Sequence, residues 1–198
     1  MARSPRDKYH RRPIRLRGYD YALPGAYFVT ICVQDRECLL GEIAAGQMVP
    51  SEAGSMVQSV WGEITNHYPG VGTDAFVLMP NYVHAIIVLS DSQMGAQGGA
   101  SPMPDGRAGR PAATLSLADV VHRFKSLTTA LYRRDVAQKG WTPFPKRLWQ
   151  RNYYEHVIRN QGELEHVREY IANNPTKWDD DDDNPVNLTG AARRVPPD

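Results

Sequence analysis

Residues Phe76–Leu89 read FVLMPNYVHAIIVL. Both halves are rich in the β-branched and aromatic residues that suit a pleated, half-buried surface. The second half alternates Tyr82, His84, Ile86 and Val88 against Val83, Ala85, Ile87 and Leu89, so each set lines one face of a strand. Pro80 cannot donate to a strand ladder, which predicts two strands joined or bent at Pro80-Asn81.

Upstream, Gly25–Gln34 (GAYFVTICVQ) alternates in the same way, with Tyr27, Val29, Ile31 and Val33 opposed to Phe28, Thr30 and Cys32. A hairpin-like stretch over Leu39–Val49 follows, with Gly41 and Gly46 as turn residues. Ser51 reads as an N-cap for an amphipathic helix over 52–67, whose apolar positions are Met56, Val57, Val60, Trp61 and Ile64. Downstream, the Gly-, Pro-, Ala- and Ser-rich residues 91–113 cannot bury enough apolar surface to offset ordering and read as a flexible insert. Ser116 with Asp119 makes a capping-box pattern before a second helix, 116–134, with Val120, Val121, Phe124, Leu127 and Leu131 inward. Arg147–Ile158 is expected as a further strand or extended segment. A third helix, Gln161–Asn173, ends before Pro175. This order predicts an α+β domain: a small antiparallel sheet with helices on one face, of ferredoxin-like or RNA-recognition-like type.

The domain is expected over residues 19–178, with a basic arm at 1–18 and a disordered acidic tail at 179–198. The formal net charge of the 198-residue chain is only +1, but the charge is segregated. Residues 1–18 carry seven Lys/Arg against Asp7, and residues 121–160 carry nine Lys/Arg against Asp135 and Glu155. Residues 179–198 carry six Asp against Arg193 and Arg194. A basic body suggests an anionic partner, most often nucleic acid. No run of eighteen apolar residues is present, which excludes a spanning helix. The start has no apolar signal region, and Cys32 and Cys38 make neither a disulfide framework nor a multi-cysteine zinc pattern, so a reducing cytoplasm is expected.

Tyr82 and His84 stand two apart on one strand and share a face. His166, Tyr170 and Asn174 form one row at i, i+4 and i+8 along the last helix. A tyrosine hydroxyl is a weak nucleophile at neutral pH, because its pKa is about 10, and it needs a base or a metal nearby. Asn174 offers a carbonyl oxygen suited to Mg²⁺ or Mn²⁺. The same residues also suit a purely structural helix flank. Single strands are held by positive grooves with stacking aromatics. Trp149, Tyr153 and Tyr154 interleave with Arg147, Arg151 and Arg159, and the second helix adds Arg123 and Lys125. Trp149 suits the core equally well.

The stretches LMPNYVHAIIVL (78–89), FKSLTTALYRR (124–134), LWQRNYYEHVIRN (148–160) and VREYIANNPTKW (167–178), together with YFVTICVQDRECLLGEI (27–43), resemble the REP-associated branch of the single-tyrosine HUH transposases. The resemblance implies cleavage and rejoining of single-stranded DNA at hairpin elements through a covalent 5′-phosphotyrosine. It implies Tyr170 as nucleophile and a divalent metal, Mg²⁺ or Mn²⁺, held by His84 and Asn174. It also implies His156 at the DNA or in the core, and action as a monomer. The chain departs from the pattern at Tyr82, where the first histidine of the pair is expected. A neutral phenol is a poor metal ligand beside imidazole. Two outcomes therefore stay open: a metal held by His84, Asn174, water and substrate phosphate, or a cleavage-impaired, domesticated protein that binds single strands.

Overall fold

The structure, a computed structural model, describes residues 19–90 and 115–187. The expected basic arm, the insert over 91–113 and the last part of the acidic tail lie outside the described residues.

Strand β1 (Gly25–Cys32) occupies the interior of a four-stranded antiparallel sheet with β4 (Val71–Leu78), β5 (Tyr82–Leu89) and β6 (Tyr154–Ile158), in the order β4-β5-β1-β6. β4 and β5 turn through Met79–Asn81. Pro80 donates nothing there, and its carbonyl accepts from Leu40 N at 3.0 Å. A separate hairpin, β2 (Gly41–Ala44) and β3 (Gln47–Pro50), closes through Ala45-Gly46. Both turn residues have positive φ, 50° and 73°, as a two-residue hairpin turn matched to strand twist requires.

Helix α1 (Glu52–Gly62) begins where the Ser51 hydroxyl accepts from Gly54 N, and it breaks at Glu63 before the short α2 (Ile64–His67). Helix α3 (Leu117–Lys139) carries the expected Ser116–Asp119 capping box. It runs one turn beyond the expected end, to Gly140 at φ 71°. Its inward row is Phe124, Thr128 and Tyr132, a spacing of four; Leu127 is 44% exposed. Helix α4 (Gln161–Ala172) is capped by the Asn160 side chain.

Strand alternation sends Tyr27, Val29 and Ile31 of β1, with Val83, Ala85 and Ile87 of β5, to a core shared with Val57 and Trp61 of α1 and Val120 and Phe124 of α3. The other face carries Phe28, Ile86 and Ile158, covered by Val167 and Ile171 of α4. The α+β class with an antiparallel sheet is as expected, but helices cover both faces rather than one. The β1–β5 register decides this, because it aligns an apolar set on each side. Each fully buried apolar side chain stabilises the fold by roughly 1.5–3 kcal/mol, and α4 contributes two of them, Val167 and Ile171.

The acidic run is not a tail throughout. A 3₁₀ turn over Pro175–Asp180 leads into residues 181–187, in which Asp181, Asp183 and Asn184 are buried. Asp183 pairs with Arg36 at 2.7 Å, and its carbonyl accepts from Asn81 Nδ2 at 2.8 Å. These partners stand far off in sequence, so charge patterning alone reads the run as solvated. Among the described residues no helix is long and apolar enough to cross a membrane.

Candidate active site

Thr30 and His84 stand directly opposite each other in the β1–β5 ladder, on the face that α4 covers. Facing side chains on an antiparallel pair lie within reach of one another. Here Thr30 Oγ1 and His84 Nδ1 are 2.8 Å apart and buried. The other ring nitrogen, His84 Nε2, lies 3.4 Å from the hydroxyl of Tyr170 on α4. Phe28, two residues before Thr30, walls both rings, with centroids 5.2 Å from His84 and 6.0 Å from Tyr170. The Tyr82 ring flanks His84 on the other side, with centroids 4.5 Å apart. The Tyr170 and His84 side chains, 86 residues apart in sequence, thus meet at one place.

Asn174 follows Tyr170 by one helical turn and is buried just past the end of α4. Its Oδ1 lies 2.5 Å from the Tyr82 hydroxyl, which also lies 2.8 Å from Asp181 Oδ2. A phenol carries one proton, so the two oxygens compete for it. Burial, and then the Asp181 carboxylate, raise the Tyr82 pKa well above its ordinary value, so this phenol stays protonated.

These side chains suit a protein-held divalent cation poorly. Mg²⁺ and Mn²⁺ favour several hard oxygen donors in octahedral geometry. Around Tyr82, the Asn174 oxygen already faces a phenolic proton, the phenol itself is neutral, and the Asp181 carboxylate is engaged by that phenol and by Asp183 N. His84 Nε2 faces Tyr170. Among the described residues no three His, Cys, Asp or Glu side chains form a group that could hold a metal ion. The donors expected for Mg²⁺ or Mn²⁺, His84 and Asn174, therefore do not make a metal centre as they stand.

The nucleic-acid candidates divide. Arg147 and Arg151 are exposed and line a groove of about 400 Å³ with His122, Lys125, Thr129 and Arg133. Lys125 also donates to the carbonyls of Gln150 and Asn152, at 3.0 and 3.2 Å, and sits over the Tyr153 ring. Burial lowers its pKa to about 8. Trp149 is core: 4% exposed, its indole donates to Thr128 Oγ1 at 2.8 Å and leaves no face for a base. Tyr154 packs against the Phe28 cluster, and His156 lies 2.8 Å from Glu163. Arg123 lies over Tyr68, outside the groove, and Arg159 is exposed beyond the end of β6. His166 is exposed on α4. Sequence reasoning missed Thr30, Phe28 and Asp181 as members of the site. Strand alternation had already set Thr30 and Phe28 on one face; the register that opposes Thr30 to His84 was not readable.

The family described as Transposase IS200 like matches residues 110–174. An uncharacterized protein of Haemophilus influenzae is 37% identical over 178 residues, spanning 87% of this chain and 92% of the relative. The chain belongs to the IS200-like transposase family. Among solved structures, a REP-associated tyrosine transposase bound to a REP hairpin superposes with a TM-score of 0.50 at 21% identity, covering 82% of this chain and 73% of that one. The fold of this IS200-like transposase is therefore that of the REP-associated tyrosine transposases. Its family match takes in Tyr170 and Asn174.

Proposed function

We propose that this chain cuts and rejoins single-stranded DNA at hairpin elements, with Tyr170 as the nucleophile. The Tyr170 oxygen attacks the scissile phosphate and joins the 5′ end, releasing a 3′-hydroxyl. The phosphotyrosine keeps the bond energy, so rejoining needs no nucleotide cofactor. The observation that carries this reading is the Tyr170 hydroxyl 3.4 Å from His84 Nε2. A tyrosine becomes a useful nucleophile only beside such a group. The described ligand of the solved relative, a REP hairpin, supports a hairpin DNA partner. The groove of Arg133, Arg147 and Arg151 supports contact with a phosphate backbone. Helix α4 packs on the sheet of its own chain, which supports action as a monomer.

The test is incubation with end-labelled hairpin DNA, with Mn²⁺ or with a chelator, and separation on a denaturing gel. A covalent adduct is expected, and it is expected to vanish in Tyr170→Phe. A second reading, single-strand binding without scission, is favoured by the Tyr82 phenol at the expected first-histidine position. Salt-sensitive binding with no adduct in either buffer selects it.

A further inference from the structure

We propose that the cleft between the end of α3 and the start of α1 holds one unpaired guanine of the strand that lies in the basic groove. The inference rests on the reading of the chain as a binder of hairpin DNA. The cleft shares no residue with the site around Tyr170.

Helix α3 stops at Gly140, whose left-handed φ of 71° turns the chain back. The turn sets Trp141 against α1, where its indole N–H donates to Glu52 Oε2 at 2.8 Å. Tyr132 meets the indole edge-on, with centroids 5.1 Å apart, and its own hydroxyl donates to the Thr142 carbonyl at 2.9 Å. Trp61, Trp149 and Trp178 are buried, whereas Trp141 is half-buried and lines a cleft of about 410 Å³. Small-ligand sites run from roughly 300 to 1,000 Å³, so a single base fits. The Lys139 ammonium lies over the indole at 5.3 Å, on a side chain 52% exposed. A cation so exposed holds an aromatic ring more weakly than a stacked base does, so a base displaces it.

Glu52 selects the base. A carboxylate only accepts, at about four lone-pair positions, and the indole uses one. Guanine alone among the four bases sets N1–H and N2–H₂ side by side on its pairing edge, and one carboxylate accepts from both. In a paired stem that edge is taken, so the guanine must be unpaired; unpaired bases are read on that edge while stacked on an aromatic ring.

The cleft continues the groove. Arg133 lines the groove and lies over the Phe144 ring at 5.5 Å. Phe144 packs on Tyr132 at 5.4 Å, and Tyr132 lines the cleft. Both share the segment after α3 as a wall: Gly140–Thr142 at the cleft, Arg147–Arg151 at the groove. A strand held by its phosphates in the groove therefore delivers a neighbouring base to Trp141.

The test uses the full chain and a fluorescein-labelled hairpin with thymine flanks, in which one dG replaces one dT at each position in turn. Anisotropy gives Kd. At one position dG is expected to tighten binding about 10-fold or more over the all-thymine flank, and deoxyinosine, which lacks the N2 amino group, to recover only part of that gain. The gain is expected to fall below about twofold in Trp141→Ala, which removes the stack, and in Glu52→Gln, which turns an acceptor into a donor. Should Trp141→Ala fail to fold by circular dichroism, Glu52→Gln, at an exposed position, decides alone. Free dGMP at about 1 mM is expected not to compete, because phosphate contacts supply a large share of the affinity; competition at that level overturns the proposal in favour of a free-nucleotide site. A wild type that binds the hairpin equally with dG at every position overturns it too, as does a gain that survives in either folded variant. Those outcomes leave Tyr170 as nucleophile, whereas absence of any hairpin binding overturns both this proposal and the reading beneath it.

Discussion

The hydroxyl of Tyr82 on β5 meets the buried carboxylate of Asp181, 99 residues later, across 2.8 Å. This contact fastens the acidic run to the sheet beside the candidate site. It also gives the phenol a role unlike that of the histidine expected there: its hydroxyl is held by two oxygens rather than offered to a cation.

Removing that hydroxyl leaves Asp181 and Asn174 without it in a buried setting. Tyr82→Phe is expected to destabilise the fold by about 1–3 kcal/mol, the cost of stranding buried polar groups. Urea denaturation gives the magnitude. Hydrogen exchange over residues 181–187 is expected to accelerate, because this bond anchors them. Unchanged exchange there would show that the Arg36–Asp183 pair suffices alone.

Tyr82→His exchanges the phenol for a metal-competent nitrogen and frees the Asn174 oxygen. Two imidazoles and an amide oxygen then face one space. Mn²⁺ affinity, read by isothermal titration calorimetry, is expected to rise about 10-fold or more over wild type, the scale on which single changes around a metal act. Equal heats for the two proteins would mean that the phenol is not what keeps a metal out.

Arg168 on α4 grips Asp74 on β4 with two hydrogen bonds, 2.8 and 2.6 Å. It lies on the tyrosine helix, two residues before Tyr170. The side chains are 43% and 25% exposed, so the pair is worth about 0.2–1 kcal/mol. The guanidinium holds the Asp74 carboxyl below its ordinary 3.8. A depressed carboxyl pKa gives stability that is present above 3.8 and is lost as pH falls through the lowered value. Asp74→Asn is therefore expected to melt lower than wild type at neutral pH, with the two melting temperatures converging in acid.

Lys125 reports on the groove. Its pKa is lowered to about 8 by burial, against 10.5 when free. Below pH 8 it is charged in both folded and unfolded chains, and its burial costs stability. Between about 8 and 10.5 only the unfolded chain holds the proton, so the cost fades as pH rises. NMR of the Lys125 side chain is expected to show a midpoint near 8, and single-strand affinity of the groove is expected to weaken through the same range. A midpoint near 10.5 would mean that water reaches the ammonium freely.

Much of this was legible in one dimension. Alternation over Gly25–Gln34 and Tyr82–Leu89 assigned two strands and their faces, because side chains on a strand point in turn to either side. The capping box at Ser116 located the start of α3, since that hydrogen-bond pattern is local. Tyr170 and Asn174 stood on one row of a helix through its fixed rise and turn. These are relations among neighbours in the chain, and the physics that sets them needs nothing from elsewhere.

Only the tertiary structure decided what crosses large sequence gaps. The β1–β5 register brought Thr30 to His84, and α4, placed on the second face of the sheet, brought Tyr170 to the same imidazole. Asp181 and Asp183, read locally as a charged tail, became buried anchors through Tyr82, Asn81 and Arg36. Trp149, equally suited to a base or to the core, was drawn inward by Thr128. A charged or aromatic side chain is worth what its partners make it, and those partners are assembled by the fold.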